Sequence, residues 1–515
     1  MGLSYDSPWY ITATLAKVGT KIERREEIYM GDFPIMTDDG VFVVNGVPKV
    51  VINQLARAQG VFFDVEDDPS GAILPSAKIL PKTGAWIDIE TNKHGVISVR
   101  IDRKRKFPIT TLLRIFGLET NEEILKAFEK DVTDPMDSMI TKTLDKDPST
   151  SHNEAILQIY KNMRPGEPAV LEGAQALIDN MFFNSKRYSL GDVGRFKVNK
   201  KLNLDIPNEE KFWGLQQRDL VEIIKYVIHL GQGDEGYHKD DIDNLANRRI
   251  RSVGELLQSE MRYGFYQLER LAREKMALQP REKLPAPTAL ISPRPVSARI
   301  ISFLSSGQLA QLLGEFNPLD SLDHKRRLSV MGKGGLTRER ASYFVRDAHP
   351  SHYGKIDVIR SPEGGNIGLV TYLALYARVN KFAFIETPYA KLEKSKNGKV
   401  KVTEQVDYLA AYDEDNFAVA GGDIEIDDKR FIVADKIPMR KAGEFYIADA
   451  KDADYIEIAP QQILGVSTAL IPFIANDDVA RALITAQQSS QAVPLVKPEE
   501  PIIGTGIEEY IANSA

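Results

Sequence analysis

A segment from His324 to Arg346 concentrates positive charge. It carries seven Lys or Arg side chains and one acidic residue, Glu339, an excess of six positive charges in a chain whose net charge is −7. Both side chains neutralise phosphate, and arginine can do so with two parallel hydrogen bonds. A basic segment within an acidic protein is informative because affinity for phosphate depends on where the cations lie. We predict a site for nucleic acid or nucleotide phosphate here, with a solvated helix face and a mobile loop as the alternative.

Two glycine-containing segments accompany these cations. Met331-Gly332-Lys333-Gly334-Gly335 predicts a turn whose bare backbone can approach a ligand. It is not a phosphate-binding Walker loop, because the GxxxxGK[ST] pattern is absent. The second segment, Ser361 to Gly368, has three glycines in eight residues. It indicates either close approach of the backbone to a ligand or an ordinary tight surface loop.

Residues that could hold a metal are few. Asp477 and Asp478 could bind magnesium, but they are better interpreted as the cap of a helix that starts near Ala480. His349 and His352 form an HxxH pair without an evident third ligand, so backbone hydrogen bonds are expected instead. The chain has no cysteine, which excludes disulfides, thiolate metal sites and cysteine nucleophiles.

The elements that must position these residues alternate between strands and helices. Asn45-Gly46 lies between two apolar runs and predicts a β-hairpin. Residues 85–89 and 96–100 are further strands by pattern, and Lys396-Asn397-Gly398-Lys399 predicts a second turn. Mixed blocks of this kind favour an α+β fold over a doubly wound sheet.

Five helical or extended segments are predicted from caps, apolar spacing and composition. Ser151 should begin a helix that runs to Met163, and apolar residues at helical spacing from Leu220 predict an amphipathic helix that ends at Gly231. A long helix is expected over about 252–276, and an extended segment over 279–295. Ser306 should cap a short helix carrying Leu309, Leu312 and Leu313.

The region from Asn317 to Tyr389 resembles the rifamycin-binding region and fork of the β subunits of bacterial-type, multi-subunit DNA-dependent RNA polymerases. The resemblance rests on Asn317-Pro318-Leu319, His324-Lys325-Arg326-Arg327, Gly334 to Arg340, Val345-Arg346-Asp347, Pro362-Glu363-Gly364 and Asn366-Ile367-Gly368-Leu369. Similar blocks occur in the same order elsewhere, including Tyr29-Met30-Gly31-Asp32, Arg164-Pro165-Gly166-Glu167-Pro168 and Asn247 to Glu255.

The resemblance implies an architecture. Residues 1–70 correspond to the first part of the protrusion, 71–249 to the lobe and 250–310 to the second part of the protrusion. Residues 311–515 correspond to the fork and rifamycin region, with an external region at about 376–465. Family members extend before Leu3 and beyond Ala515, so the chain would be a fragment, a naturally split subunit or an incomplete gene product.

The resemblance also implies roles for individual residues. Those expected near the RNA and the incoming nucleotide are Gln311, Arg338, Pro362, Glu363, Asn366, Arg481 and Gln491. Those expected at the non-template DNA strand are Trp86, Asp243, Arg248 and Val345. Those that match the rifamycin pocket are Leu309, Gln311, His324, Arg327, Ser329 and Pro362. No catalytic residue is expected in this chain.

Several positions depart from the family's usual residues. The family usually has an aromatic residue at Leu312, an aspartate at Gly314, a glutamate at Arg360, a proline at Gly365 and an asparagine at Ala480. Positions 487–490, Gln-Gln-Ser-Ser, also differ. The changes at Leu312 and Gly314 bear on rifamycin binding, and those after Arg481 bear on contacts with RNA.

The resemblance implies that this chain takes part in template-directed RNA synthesis and that the isolated chain is inactive. This chain would bind no cofactor, and the catalytic Mg²⁺ would be held by the β′ subunit. The implied partners are β′, the α dimer, omega, a sigma factor and a C-terminal β half if the subunit is split, together with DNA template, nascent RNA and nucleoside triphosphates. No membrane partner is expected, and the location would be cytoplasmic, at the nucleoid. The alternative is a non-catalytic, truncated β-like scaffold that binds nucleic acid or a transcription regulator.

Overall fold

The computed structural model describes residues 2–17, 19, 23–69, 71, 73–129, 131, 138–279, 284–395 and 399–514. The chain separates into two compact units. The first is formed by Met1–Ala56 together with Asp243–Ala515, and the second by Arg57–Ile242. Helices and mostly antiparallel sheets occur in both units, so the predicted α+β class is confirmed.

The first unit begins with short antiparallel pairs. Its first five strands are β1 (Asp6–Ala16), β2 (Glu23–Pro34), β3 (Phe42–Val44), β4 (Val47–Val51) and β5 (Asn53–Arg57). Strand β1 pairs with β2, and β3 pairs with β4. Asn45 and Gly46 join β3 to β4 with φ angles of 54° and 78°, which a two-residue hairpin turn requires. The predicted hairpin is therefore confirmed.

The second unit packs helices against a five-stranded antiparallel sheet of order β10-β9-β8-β7-β6. The strands are β6 (Gly60–Asp67), β7 (Ile73–Leu80), β8 (Ile87–Thr91), β9 (Ile97–Ile101) and β10 (Phe107–Pro108). The helices are α1 (Ile109–Ile115), α2 (Asn121–Phe128), α3 (Met139–Leu144), α4 (His152–Met163), α5 (Leu171–Ile178), α6 (Gly191–Leu202) and α7 (Gln217–Gln232). Alternate residues of β8 and β9 are buried against the helices, which explains why apolar and polar residues alternate in the sequences of these strands.

The two helices predicted in this unit are present. Ser151 caps α4 by accepting a hydrogen bond from the amide of Glu154. The apolar face of α7 is buried, as its spacing indicated. Its predicted end at Gly231 was wrong by two residues, because Gly233 adopts the left-handed conformation (φ 75°) that closes the helix.

The first unit resumes with helices and strands that frame the basic segment. They are β11 (Arg248–Arg251), α8 (Val253–Ala277), α9 (Pro287–Leu290), α10 (Arg294–Ser306), β12 (Ala310–Leu312), α11 (Pro318–Lys325), β13 (Arg327–Ser329), α12 (Tyr343–Arg346) and β14 (Val370–Tyr372). One sheet has the order β11-β5-β13-β14 and another the order β12-β4-β3. The long helix predicted over about 252–276 is α8.

Two predictions in this region were wrong. The segment 279–295 is not extended throughout, because α9 forms within it and α10 starts at Arg294. Ser306 ends α10 instead of capping a new helix, and Ala310–Leu312 forms strand β12. The pairing of β12 with Lys49–Val51 of β4 explains the difference, since a strand partner 260 residues away overrides local helix spacing.

The remainder of the first unit contains a sheet of seven strands and four helices. The strands are β15 (Arg378–Val379), β16 (Ile385–Lys394), β17 (Val400–Ala410), β18 (Val419–Ala420), β19 (Lys436–Lys441), β20 (Glu444–Asp449) and β21 (Tyr455–Glu457). The helices are α13 (Ala411–Glu414), α14 (Val466–Ala469), α15 (Val479–Ser490) and α16 (Glu508–Ser514). Strands β16 and β17 pair antiparallel, and the predicted turn at 396–398 between them lies outside the described residues. Within the described chain, no helix has both the length and the apolar character to cross a bilayer.

A buried ion pair anchors α6 to α7 in the second unit. Arg195 donates to both carboxylate oxygens of Asp219, at 2.6 and 2.9 Å, and to the backbone carbonyls of Phe212 and Gly214. Both side chains are fully buried. Each charge therefore depends on the other, because neither can be hydrated.

Asp219→Asn should lower the free energy of unfolding of the second unit by about 3–5 kcal/mol, because it leaves the Arg195 charge buried and uncompensated. The measurement is urea unfolding followed by tryptophan fluorescence in a Trp9→Phe background, which leaves Trp86 and Trp213, both in the second unit. Glu209→Gln, in the exposed pair with Lys211, is the control and should cost less than about 1 kcal/mol. Equal effects of the two substitutions would contradict the role given to Asp219.

Candidate nucleic-acid interface

One cavity of the first unit gathers about half of the site residues that sequence analysis singled out. It encloses about 420 Å³. We name it the arginine cavity, because Arg327, Arg338 and Arg360 line it. Seven predicted site residues contribute to its wall: Gln311, Arg327, Ser329, Arg338, Pro362, Asn366 and Gln491. Gln311 and Gln491, 180 positions apart in the sequence, thus converge on one concave surface.

Strand β12 and helix α11 set one wall of the arginine cavity. Gln311 on β12 receives hydrogen bonds at its amide oxygen from Arg327 (3.3 Å) and from the Nε2 of His324 (3.1 Å). The other ring nitrogen of His324 accepts from the amide of Gly314 at 3.1 Å. His324 therefore acts as a neutral ring that fixes Gln311. Burial, with the nearby charge of Arg327, lowers the pKa of His324 to about 4.

The loop from Ser361 to Gly368 is held in place by arginines. Arg346 donates to the carbonyls of Gly365 (3.0 Å) and Ile367 (2.9 Å). Arg338 donates to the side-chain oxygen of Asn366 at 2.7 Å. Gly368 has φ +69°, and a Cβ there would lie 2.2 Å from the carbonyl oxygen of Arg346, so the backbone approach requires glycine. The loop is thus built around its own glycines and carbonyls.

Arg360 fixes the base of this loop. Its guanidinium donates to Asp323 on α11, to Ser467 on α14 and, at 2.9 Å, to Ser490 on α15. It also lies 4.3 Å from the ring centre of Tyr372 on β14. The side chains of Arg360 and Asp323 are 6% and 3% exposed, so this ion pair is largely removed from water. One side chain therefore links three helices and a strand beneath the cavity.

The cations of the basic segment divide between surface and interior. Arg326 donates to the carbonyls of Ala374 and Leu375, and burial lowers its pKa. Arg346 binds loop carbonyls as described. Asp320, just before the segment, lines the cavity and adds a negative charge to the wall. The excess of six charges in the sequence thus overstates the positive charge that faces a ligand, and Arg327 and Arg338 supply most of it.

Some predicted residues lie outside the wall of the arginine cavity. His324 is buried behind it, where it supports Gln311. Leu309 is buried and lines a different cleft, described below. Glu363 and Arg481 are exposed, the first on the loop and the second in the first turn of α15.

The residues expected at the non-template strand are divided between the two units. Asp243 and Arg248 are neighbours in the first unit, with 3.8 Å between their charged groups, and Arg248 is only 7% exposed. Val345 is half-buried and packs against a cluster that includes Leu245. Trp86 belongs to the second unit, where 47% of its surface is exposed.

The candidate metal residues have structural roles. The Asp478 side chain accepts from the amide of Ala480 at the start of α15, so the predicted cap is confirmed. His349 accepts from the amide of Ser351, and His352 accepts from the amide of His349. Burial lowers the pKa of His352 to about 3. Among the described residues, no group of three or more His, Cys, Asp or Glu could hold a metal ion.

Sequence reasoning missed Phe316, Asp320 and Tyr372, which line the arginine cavity. Gln487 and Ser490 also line it, and they had been noted only as departures from the family's usual residues. Phe316 and Asp320 lie a few residues before the basic segment, so a wider window would have included them. Nothing in the local pattern singled out Tyr372, which reaches the cavity because β14 pairs with β13.

Comparison with protein families and comparison with individual proteins point to the same family. Three family models match: RNA polymerase Rpb2, domain 2 at residues 57–251; RNA polymerase Rpb2, domain 3 at 311–379; and the RNA polymerase beta subunit external 1 domain at 389–459. The chain is 44% identical over 513 residues to the DNA-directed RNA polymerase subunit beta of Syntrophomonas wolfei, covering 100% of this chain and 45% of that protein. This chain belongs to the RNA polymerase β-subunit family.

Other β subunits give the same result. The one from Streptomyces coelicolor is 45% identical over 524 residues, covering 99% of this chain and 44% of the relative. The one from Synechococcus sp. is 42% identical over 512 residues, with 99% and 45% covered. The chain thus spans a little under half the length of the β subunits that it matches. The resemblance drawn from the sequence motifs is confirmed, and the chain corresponds to part of a β subunit.

The ring of His324 should stay neutral in the folded β-subunit chain until the pH falls to about 4. Because its pKa is below that of an exposed histidine, His324 contributes stability that is present above about pH 6.5 and is lost as the pH falls through 4. Arg327→Gln should raise the pKa of His324, since the nearby positive charge is removed. The measurement is NMR titration of ¹³C-labelled histidine rings, with His324→Gln for assignment. Arg340→Gln is the control, and an equal shift in it would contradict the role of Arg327.

Removing one partner of the Arg360–Asp323 pair should loosen the helices that the pair joins. We expect Arg360→Met or Asp323→Asn alone to cost about 3–5 kcal/mol, because each leaves a buried charge uncompensated. The double variant Asp323→Leu/Arg360→Met should cost clearly less than the sum of the single variants. The measurement is hydrogen–deuterium exchange of α15 amides. Arg378→Met, in an ion pair whose arginine is 56% exposed, is the control and should leave α15 protected. Additive single effects would show that the pair is not coupled.

Proposed function

We propose that this β-subunit portion works within a DNA-dependent RNA polymerase. In this proposal the arginine cavity and the Ser361–Gly368 loop line the channel that holds the RNA–DNA hybrid and the incoming nucleotide. The observation that carries the proposal is identity of 42–45% to DNA-directed RNA polymerase β subunits over essentially the full chain. The convergence of Gln311, Arg338 and Asn366 on one basic cavity supports it.

The chemistry proposed for this chain is positioning. Arg327 and Arg338 present guanidinium groups that can pair with phosphate, while Gln311, Asn366 and Gln491 supply amide groups for sugar or base contacts. Phosphodiester formation needs metal ions at the attacking and leaving oxygens. The described residues offer no cluster for them. As the family resemblance implies, we propose that the β′ subunit holds the catalytic Mg²⁺.

The proposed partners follow from the same assignment. They are β′, the α dimer, omega, a sigma factor and a chain that supplies the rest of β, with template DNA, nascent RNA and nucleoside triphosphates bound in the assembly. The complex would be cytoplasmic and associated with the nucleoid. Trp86, Asp243, Arg248 and Val345 are proposed to contact non-template DNA. Glu363 and Arg481, both exposed, are proposed to act near the nucleotide.

A truncated, non-catalytic scaffold is the second candidate. It would be favoured if residues that depart from the family's usual pattern fitted poorly. Arg360 instead has acceptors on three helices. At Gly314, a Cβ would lie 2.2 Å from the carboxylate of Asp320, so glycine suits its neighbour. Arg360 and Gly314 thus both fit their neighbours in the structure, which favours a subunit that works within the polymerase.

Affinity purification of the tagged chain from its own cells, followed by an assay of templated RNA synthesis, tests the proposal. We expect β′, α and a chain carrying the remainder of β to co-purify with activity that requires template and all four nucleotides. Recovery of the chain alone, without synthesis, would overturn the proposal in favour of the scaffold.

Within the active complex, Arg338→Gln should reduce RNA synthesis by about tenfold or more. The reason is the loss of a charge-assisted hydrogen bond, which contributes about 1.5–3 kcal/mol. Saturation with nucleotide distinguishes lost nucleotide binding, which raises KM, from misplaced RNA, which lowers kcat. Lys451→Gln is the control, since Lys451 is 61% exposed and pairs with Asp449 in the β15–β21 sheet. Unchanged synthesis in Arg338→Gln would remove this arginine from the proposed interface.

A further inference from the structure

A second cleft opens between helices α8 and α10 and the turn Gly332–Gly334. It encloses about 550 Å³, a volume typical of small-ligand sites. We name it the α8–α10 cleft. Apart from Gln308, its lining residues differ from those of the arginine cavity. The family resemblance assigned one of them, Leu309, to a different pocket, and the proposed polymerase function uses none of its charged residues.

The charged groups of the cleft leave an excess of positive charge. Arg251, Arg299 and Lys333 line it, against one carboxylate, that of Glu260. Lys333 approaches Glu260 at 2.6 Å and Arg299 approaches it at 3.9 Å. The carboxylate is 11% exposed, whereas the side chains of Lys333 and Arg299 are 56% and 49% exposed. Two half-exposed cations on one shielded carboxylate retain hydrogen-bond donors for a second anion.

An aromatic ring lies beside these cations. Tyr263 on α8 is 55% exposed, and the Nζ of Lys333 lies 4.1 Å from the centre of its ring. Phe303 on α10 adds a half-buried apolar surface to the lining. Aromatic side chains next to cations bind nucleotides, because the base stacks on the ring while the cation pairs with phosphate.

The turn that carries Lys333 is fixed from inside the protein. The amide of Gln54 donates to the carbonyls of Met331 (3.0 Å) and Lys333 (3.3 Å), and its oxygen accepts from Arg251 at 2.9 Å. Gly332 and Gly334 have φ angles of +107° and +77°, and a Cβ on Gly332 would press on Leu309 at 3.1 Å. Lys333 is therefore held at the rim of the cleft by a backbone that has little freedom.

We propose that the α8–α10 cleft binds a nucleotide unit, with phosphate on Lys333 and Arg299 and the base against Tyr263. Glu260 occupies the anion position in the absence of ligand and is displaced from it when phosphate enters. The nucleotide unit comes either from a free nucleoside triphosphate or from the end of a single strand of nucleic acid. The proposal does not depend on the proposed polymerase function, because every group that it uses lies in this chain.

Equilibrium dialysis of the purified chain with radiolabelled ATP tests the cleft. Lys333→Gln and Arg299→Gln should each weaken binding by about tenfold or more, and Tyr263→Leu by about fivefold or more. Glu260→Gln should tighten binding by about threefold or more, because the internal anion that competes with phosphate is neutralised. This increase distinguishes a ligand site from a structural ion pair, for which Glu260→Gln could only loosen the cleft.

Control variants separate this site from the arginine cavity. Lys451→Gln should bind ATP as the unaltered chain does, because Lys451 lines neither cavity. Loss of binding in Arg338→Gln with retention in Lys333→Gln would place the nucleotide in the arginine cavity and overturn the proposal. Absence of ATP binding at millimolar concentration would also overturn it, as would weaker binding by Glu260→Gln.

A competition experiment distinguishes the two sources of the nucleotide unit. A 12-residue oligothymidylate is added to the chain carrying labelled ATP. If the oligonucleotide displaces ATP, and this displacement depends on Lys333, the result supports the end of a nucleic-acid strand as the ligand. Retention of ATP, with binding still dependent on Lys333, supports a free nucleotide.

Discussion

A guanidinium removed from water needs fixed acceptors, and Arg360 obtains them from helices α11, α14 and α15. Without such acceptors the cost of burial would exceed the gain from any single contact. The distances between the three helices are therefore limited by the length of the Arg360 side chain. The loop that begins at Ser361 starts from this fixed point, so Pro362 and Asn366 take their places in the wall of the arginine cavity.

The charge available to a ligand follows from this arrangement. Asp323 compensates Arg360 within the wall, and Arg326 and Arg346 are committed to backbone carbonyls. Arg327 and Arg338 remain at the surface of the cavity, each with one amide partner. A ligand thus meets two oriented guanidinium groups instead of a diffuse basic surface, an arrangement that favours phosphate at defined positions.

Local pattern predicted the elements whose residues interact with near neighbours. The Asn45-Gly46 hairpin, the Ser151 cap and the long α8 helix all rest on contacts within a few residues. It failed at β12, where the deciding partner is β4. The same limit applies to the site. The basic segment could be found by counting charges, and motif resemblance brought in Gln311 and Gln491. Tyr372 and the buried Asp323–Arg360 pair depend on three-dimensional pairing that no single segment records.

The two cavities are linked through Gln54, which is fully buried and has all its side-chain hydrogen bonds directed at the turn and at Arg251. Gln54 lies on β5, which pairs with β13 at Ser329. After Ser329 the chain leaves the sheet and turns back, and the side chain of Gln54 holds this turn through its hydrogen bonds. Arg327 and Arg338 consequently face the arginine cavity, whereas Lys333, between them in sequence, reaches Glu260 on α8. One run of cations thereby serves two separate surfaces. The buried amide of Gln54 binds the carbonyl of Met331, which lines the arginine cavity, and the carbonyl of Lys333, which lines the α8–α10 cleft, so a ligand that moved Met331 would also move Lys333.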